Sequence, residues 1–473
     1  MVHFGFLVIL AALLRFCCLD QQSLWLDELW SWEISRHGLA EVFSNVRSDV
    51  HPPLYFVLLM FVQKYVGTSE IILRLPSAIF GTIAVVLAFC VGKRLYSASE
   101  GLVAATFTAL ISTPIYYSQE ARAYSLLLCT ALWTTYHLID LLEDTMRAAP
   151  WKMRDVVGYV VAALVAAYSH YFGLLQVVLQ GCLVLGVMIR YRYFSFRALG
   201  TALVLVLSYV PWLPSFFAQL RHGAVHIPKP TLKIVSSFVA FSFGSSALIV
   251  SLGLCFAGLA LYAGRRKDWA WFRPDAKTLF LLYWVLAPFL VAFIQSWILE
   301  PVLNSRNMII GTPALYLLVA RMVTRIPIHQ RLRNAAAVVV PALLVGQLVF
   351  VDRYYDKTTK TQFREAVREM CRIDRTLERS MIVGYSWGTY TFDYYFSRYA
   401  PEKRISILAG KQDDLPRIKT LAQENQVRYI WYVNGHRVPD PKLLEGLNAT
   451  YRLVSHEVFL SAEVRLYEIS SQN

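Results

Sequence analysis

The sequence predicts a mostly α protein: a polytopic membrane helix bundle of about eleven spans, each near bilayer length, with interfacial helices and a small C-terminal α/β domain. Three observations predict it. The chain has 473 residues, 56% hydrophobic and only 16% charged, where a soluble domain carries about a quarter charged residues. Its apolar residues fall in runs of roughly 20, long enough to cross a bilayer. Its basic residues gather in short connections between alternate runs, the bias that marks cytoplasmic loops.

The candidate spans are residues 2–19, 75–92, 101–118, 121–140, 156–169, 171–189, 198–213, 244–263, 277–298, 305–322 and 334–351. The first run lacks a basic leader and a small-x-small cleavage site, so it reads as a retained helix. One set of loops is basic: Lys93 and Arg94; Arg147, Lys152 and Arg154; Arg190, Arg192 and Arg197; Arg265, Arg266, Lys267 and Arg273; Arg321, Arg325, Arg331 and Arg333. These read as cytoplasmic. Residues 20–74, 118–122, 169–171, 214–233 and 297–306 read as the outer loops. The net charge of +14 follows this loop pattern and does not form a nucleic-acid surface. The seven cysteines form neither a CxxC pair nor a disulfide framework.

Residues 54–66 test the scheme. This apolar stretch of about 13 residues covers roughly 20 Å against a hydrocarbon core of about 30 Å. A crossing here would turn every later basic loop outward, so the stretch reads as a re-entrant or interfacial helix. That keeps Asp27, His51 and Glu120 on one side. Residues 1–352 then form the membrane domain, with a long first outer loop at 20–74. Residues 353–473 form a small α/β domain on the outer side. There, 362–375 and 415–424 have helical periodicity, and 381–385, 405–408, 427–433 and 464–469 read as short strands.

Three clusters carry chemistry. The first outer loop reads Trp25-Leu26-Asp27-Glu28-Leu29-Trp30, then Asp49-Val50-His51-Pro52-Pro53-Leu54-Tyr55. Tryptophans anchor helices at the interface, but adjacent acids are not needed for anchoring. An outer turn reads Tyr117-Ser118-Gln119-Glu120-Ala121-Arg122, and another holds Ser169-His170-Tyr171. Ionisable groups at membrane depth are costly and mark functional paths. Each also has a plainer reading: a helix cap for Asp27, a snorkelling helix-end arginine for Arg122 or Arg306, a packed histidine for His170.

Together with Arg74-Leu75-Pro76-Ser77, Gly81, Pro211-Trp212-Leu213-Pro214 and Arg306 before Pro313, these landmarks resemble the GT-C superfamily of membrane glycosyltransferases. The likeness is to bacterial relatives of protein O-mannosyltransferases and of the lipid A aminoarabinose transferases, and it covers residues 1–350. It implies a bacterial inner-membrane enzyme, and the loop pattern puts the N-terminus in the cytoplasm and the C-terminal domain in the periplasm. The implied reaction is inverting transfer of a sugar from a polyprenyl-phosphate donor to a lipid A, polysaccharide or protein acceptor. It also implies Asp27 as the base of the Asp27-Glu28 pair, and His51 near the donor phosphate. Some members bind a divalent metal. Asp49, Glu120, His222 and His226 are the candidate ligands, and no spacing demonstrates a site.

The residue chemistry agrees. Displacement at a sugar carbon needs a carboxylate to take the acceptor's proton and cationic groups on the leaving phosphate. Asp27 suits the first task. His51, Arg122 and Arg306 suit the second, Glu28 is the second catalytic candidate beside Asp27, and Glu120, Gln119, Tyr55 and His170 are candidates to bind substrate. Two other classes stay open: a transporter or flippase of a lipid-linked or anionic substrate, and a non-catalytic partner in an envelope complex. A transporter places ionisable residues in mid-span within related halves. Here they lie at span ends, and no half-repeat is visible.

Overall fold

The computed structural model describes residues 2–222, 227–244, 253, 274–325, 329–373, 380–409 and 414–469. In chain order its helices are α1 (Val2–Phe16), α2 (Leu26–Ser35), α3 (Leu39–Arg47), α4 (Leu54–Tyr65), α5 (Glu70–Leu95), α6 (Ala98–Leu110), α7 (Ser112–Ser118), α8 (Tyr124–Met146), α9 (Met153–Ser169), α10 (Tyr171–Tyr191), α11 (Phe196–Tyr209), α12 (Leu213–His222), α13 (Lys233–Phe243), α14 (Ala276–Ile298), α15 (Thr312–Arg325), α16 (Gln330–Gly346), α17 (Phe363–Ile373), α18 (Tyr390–Tyr399), α19 (Asp414–Glu424) and α20 (Pro441–Thr450). They fold as two compact units. One comprises residues 1–17, 37–67 and 72–355, the other residues 18–36, 68–71 and 356–473.

The larger unit is helical. Six stretches are long and apolar enough to cross a bilayer: α5, α8, α10, Phe196–Leu220, α14 and Asn307–Arg325. The bent pair α6–α7 makes a seventh if taken as one span. Val178, Leu185, Ile189, Leu199, Leu203 and Leu207 along α10 and α11 are exposed. Such a surface is a liability in water and natural against acyl chains, so the chain is a multi-pass membrane protein. The eleven predicted spans are not all recovered. Those at 2–19, 156–169 and 334–351 fold as helices of 15, 17 and 17 residues, and 244–263 lies outside the described residues.

The predicted span 101–118 is broken. α6 stops at Leu110, Ile111 is extended, and α7 leaves at 59°. Pro114 explains the break, because it has no N–H for the carbonyl four residues back and its ring crowds that carbonyl. The carbonyls at the end of α6 then need donors in apolar surroundings. Arg15, fully buried in the last turn of α1, supplies them. Its Nη2 donates to the Thr108 carbonyl at 2.6 Å, and its Nη1 donates to Ala109 at 3.2 Å and Ala11 at 3.1 Å. Gly81 lets α5 approach the same corner, since a Cβ there would meet the Ser118 Cβ at 2.8 Å.

Some of the basic residues predicted to share one side meet partners on neighbouring helices, while Arg265, Arg266, Lys267 and Arg273 lie outside the described residues. Arg94 pairs with Asp140, Arg321 with Glu100 at 3.0 Å, and Arg325 with Asp275 at 3.2 Å. The stretch at 54–66 forms α4, a helix of 12 residues. Its Tyr55 and Leu59 pack with Leu126.

The smaller unit holds a five-stranded sheet in the order β2-β1-β3-β5-β4. β1 (Ser380–Tyr385) runs parallel to β2 (Ile407–Leu408) and β3 (Tyr429–Gly435). β5 (Ala462–Glu468) is antiparallel to β3 and to β4 (Arg452–Phe459). Part of the first outer loop belongs to this unit. Ser23 Oγ donates to the Thr361 carbonyl at 2.7 Å, and the Leu24 N–H donates to the Tyr395 hydroxyl at 2.6 Å. Arg364 pairs with Glu70 at 2.7 Å. Lys360 Nζ lies 3.0 Å from Glu28 Oε2, with both side chains buried.

Two consequences are measurable. Gly81→Val drives a side chain into Ser118, and overpacking of this kind costs about 1–3 kcal/mol. The thermal midpoint in detergent is expected to fall, and an unchanged midpoint contradicts the close approach. Lys360→Met leaves a buried carboxylate uncompensated, at a cost of about 3–5 kcal/mol. Limited proteolysis is expected to cut the smaller unit faster. Adding Glu28→Gln is expected to recover most of the resistance, and no recovery would show that the pair is not the cause.

Candidate active site

Asp49 and His51 lie between α3 and α4. Pro53 stands at the N-cap of α4, where its missing N–H costs no helix bond, so His51 is held just outside the helix. Its Nδ1 is 3.0 Å from Asp49 Oδ2, and its Nε2 is 3.1 Å from Arg122 Nη2. A guanidinium only donates. Nε2 therefore accepts, and the ring proton sits on Nδ1, which donates to Asp49. Acid, imidazole and guanidinium form one line. Burial pushes the Asp49 carboxyl up, but His51 and Arg122 outweigh burial and hold it below its ordinary value.

Arg122 is buried. Its carbonyl accepts from Ser77 Oγ at 3.1 Å, and that hydroxyl is hydrogen-bonded to Tyr55 at 2.8 Å. His170 links α9 to α10 with an extended backbone. Its Nδ1 accepts from the Phe172 N–H at 3.1 Å, which caps α10 and leaves the ring proton on Nε2. Its ring centre is 5.8 Å from His51 and 5.7 Å from Tyr124. Burial first, then the nearby charges of Arg122 and Arg306, hold its pKa well below the ordinary value, so it is a neutral donor at neutral pH. Arg306 precedes the 3-10 turn Asn307–Gly311, and its guanidinium carbon is 5.9 Å from the Tyr124 ring centre. His51, Arg122, His170 and Arg306 thus form one cluster of two guanidiniums and two imidazoles. Such a set suits a phosphate, which guanidinium binds bidentately.

Other sequence candidates have structural work. Gln119 Nε2 donates to the carbonyls of Leu14 at 3.2 Å, Arg15 at 3.3 Å and Cys17 at 2.7 Å, capping α1, and its Oε1 accepts from Tyr354 at 3.0 Å. Tyr55 is buried against Ser77. Glu120 is fully buried, and its charge acts on Tyr354. Among the described residues no three of His, Cys, Asp and Glu gather as a metal set. Asp49 is bonded to His51, the His222 side chain and all of His226 lie outside the described residues, and no step below runs through a metal.

In the smaller unit the adjacent acids have different settings. Glu28 is fully buried, paired with Lys360, and accepts from the Trp25 N–H at 3.4 Å at the start of α2. Asp27 is half-buried in the first turn of the same helix, where the macrodipole favours its charge. Its field acts on His436, raising the pKa of a ring that burial lowers more. His436 Nδ1 is 3.0 Å from Thr361 Oγ1, and its ring centre is 6.1 Å from Trp25. Sequence reasoning missed His436, Lys360 and Arg15. For His436 a signal existed: Asn434-Gly435-His436-Arg437 is turn chemistry directly after a strand, where binding residues concentrate.

Comparison with known proteins bears on the fold that carries these residues. Residues 50–214 match the family described as dolichyl-phosphate-mannose-protein mannosyltransferase. No curated protein sequence matches the chain. The crystal structure of ArnT from Cupriavidus metallidurans bound to undecaprenyl phosphate superposes with a TM-score of 0.59 at 14% identity, covering 99% of this chain and 98% of that one. The apo form of ArnT from the same organism gives 0.60 at 14% identity, covering 98% of each chain. The family match covers residues 50–214, and along its whole length the chain has the fold of ArnT.

Proposed function

We propose that the protein is an inverting glycosyltransferase of a bacterial inner membrane. It moves a sugar from a polyprenyl-phosphate donor to a periplasmic acceptor: lipid A or lipopolysaccharide, another polysaccharide, or a protein. The observation that carries this reading is the Asp49–His51–Arg122 line with His170 and Arg306 beside it. It concentrates positive charge and N–H donors where a lipid phosphate needs them. The match to a family of lipid-phosphate sugar transferases and the fold of a protein crystallised with undecaprenyl phosphate support it.

In the proposed reaction an acceptor hydroxyl attacks the anomeric carbon as the carbon–oxygen bond to phosphate breaks. Asp27 takes the hydroxyl proton, and the polyprenyl phosphate leaves as an anion. Arg122 and Arg306 stabilise the charge that grows on the leaving oxygen, in surroundings where such contacts are strong. His51 fixes the direction of the Arg122 fork. Attack opposite the departing phosphate inverts the anomeric centre.

Two experiments check the reading. Asp27→Asn is expected to lower transfer by about 10²–10⁴-fold, the worth of a general base, with an unchanged elution profile in detergent. The readout is mass spectrometry of envelope glycans from a deletion strain carrying the variant. A normal glycan profile would remove Asp27 as the base and favour the transporter reading. For orientation, Ser48→Cys, exposed in the loop ahead of His51, in a background freed of native cysteines is expected to react with an impermeant thiol reagent from the periplasm of intact cells. Labelling confined to preparations with the cytoplasmic face opened would reverse the assigned orientation.

A further inference from the structure

The smaller unit carries features that the proposed transfer does not yet use. β1 lies inside the sheet, with β2 on one side and β3 on the other, all parallel. The chain leaves β1 towards β2 and then crosses to β3, so the strand order reverses at β1. In open α/β sheets ligands bind outside the carboxyl ends of the strands at such a reversal. Those ends are Tyr385-Ser386-Trp387 after β1 and Gly435-His436-Arg437 after β3.

The two loops are locked to each other. Ser386 Oγ donates to the Gly435 carbonyl at 3.0 Å, and Asn434 Nδ2 donates to the Arg437 carbonyl at 2.9 Å. His436 has a φ of +59°, a costly conformation for a residue with a Cβ, and such strain gathers at ligand sites. The Arg437 guanidinium lies 4.5 Å from the Tyr385 ring centre and 5.4 Å from that of Trp387. No carboxylate pairs with Arg437 among the described residues. Trp387 keeps half its surface exposed. The His436 ring stands next to Trp25 and within the field of Asp27.

We propose that these strand-end loops form the acceptor subsite, and that the acceptor they take is an anionic saccharide, one bearing a phosphate or a carboxylate. The inference rests on the transferase reading above. The flat indole of Trp387 offers the broad apolar surface on which the C–H face of a sugar ring lies. Arg437 is held by stacking, which leaves its N–H edges to meet an oxyanion in the forked geometry guanidinium favours. The donor phosphate already has its cluster in the membrane unit. The groups around Asp27 in this unit therefore receive the molecule whose hydroxyl Asp27 deprotonates.

The test reads binding without turnover, so the subsite stands or falls independently of whether sugar is transferred. Full-length protein in detergent is titrated with mannose 6-phosphate, with trigalacturonic acid and with methyl mannoside, followed by saturation-transfer NMR. At least one anionic probe is expected to bind and the neutral one to bind at least tenfold more weakly. Which anionic probe binds tells phosphate from carboxylate. Arg437→Gln is expected to abolish the preference for the anionic probe, and Trp387→Ala, at an exposed position, to weaken both classes at least tenfold. The same affinities in both monodisperse variants, equal binding of the neutral sugar, or no binding of any probe to the unaltered protein would overturn the proposal.

Discussion

One hydrogen-bonded line organises the membrane unit: Asp49 to His51 to Arg122. Its second link joins side chains 71 residues apart in the chain. Each member fixes the next. The carboxylate accepts from Nδ1–H, Nε2 is thereby an acceptor, and the guanidinium donates to it. The neighbouring imidazole of His170 is kept neutral by burial and by the surrounding positive charge, so the cluster does not grow more self-repelling at neutral pH.

The same electrostatic reasoning explains the bend in the membrane unit. A proline near the end of a span strands carbonyls that lipid cannot solvate. Arg15 satisfies them and is satisfied by them, a buried cation used as a helix cap. The broken helix then ends at Ser118, and the turn that follows delivers Arg122 to His51. Gly81 allows the packing that makes this corner possible. The break in the helix and the position of Arg122 thus belong to one corner of the fold.

Much of this was legible because its signals are local. The His51-Pro52-Pro53 entry, the Tyr117–Arg122 turn and the isolated Arg306 are each ionisable groups at the mouth of an apolar run. The structure brings His51, Arg122, His170 and Arg306 together. The break at Pro114 was legible too, but the apolar content of the run masked it. Other features had no local signal. Lys360 lies 332 residues from Glu28 in sequence, within a run of threonines that reads as a plain loop. β4 was not anticipated because it is an exposed edge strand with a bulge at Leu453/Ser455, so burial imposes no alternation on it. α18 is rich in aromatic residues, which favour strands in isolation, and packing against α17 and α2 overrides that preference. α20 was not anticipated either, although Asp440 and Pro441 are a cap and a first-turn proline, with Asp440 accepting from the Lys442 N–H at 2.9 Å.

The central claim is that the Arg122 guanidinium, oriented by His51, is a principal holder of a lipid phosphate. Its most direct test is the affinity of purified protein for undecaprenyl phosphate, measured by native mass spectrometry for the unaltered chain and for Arg122→Gln. The account expects the variant to bind at least tenfold more weakly, about 1.4 kcal/mol, while remaining monodisperse. Equal affinity in the two proteins would contradict it.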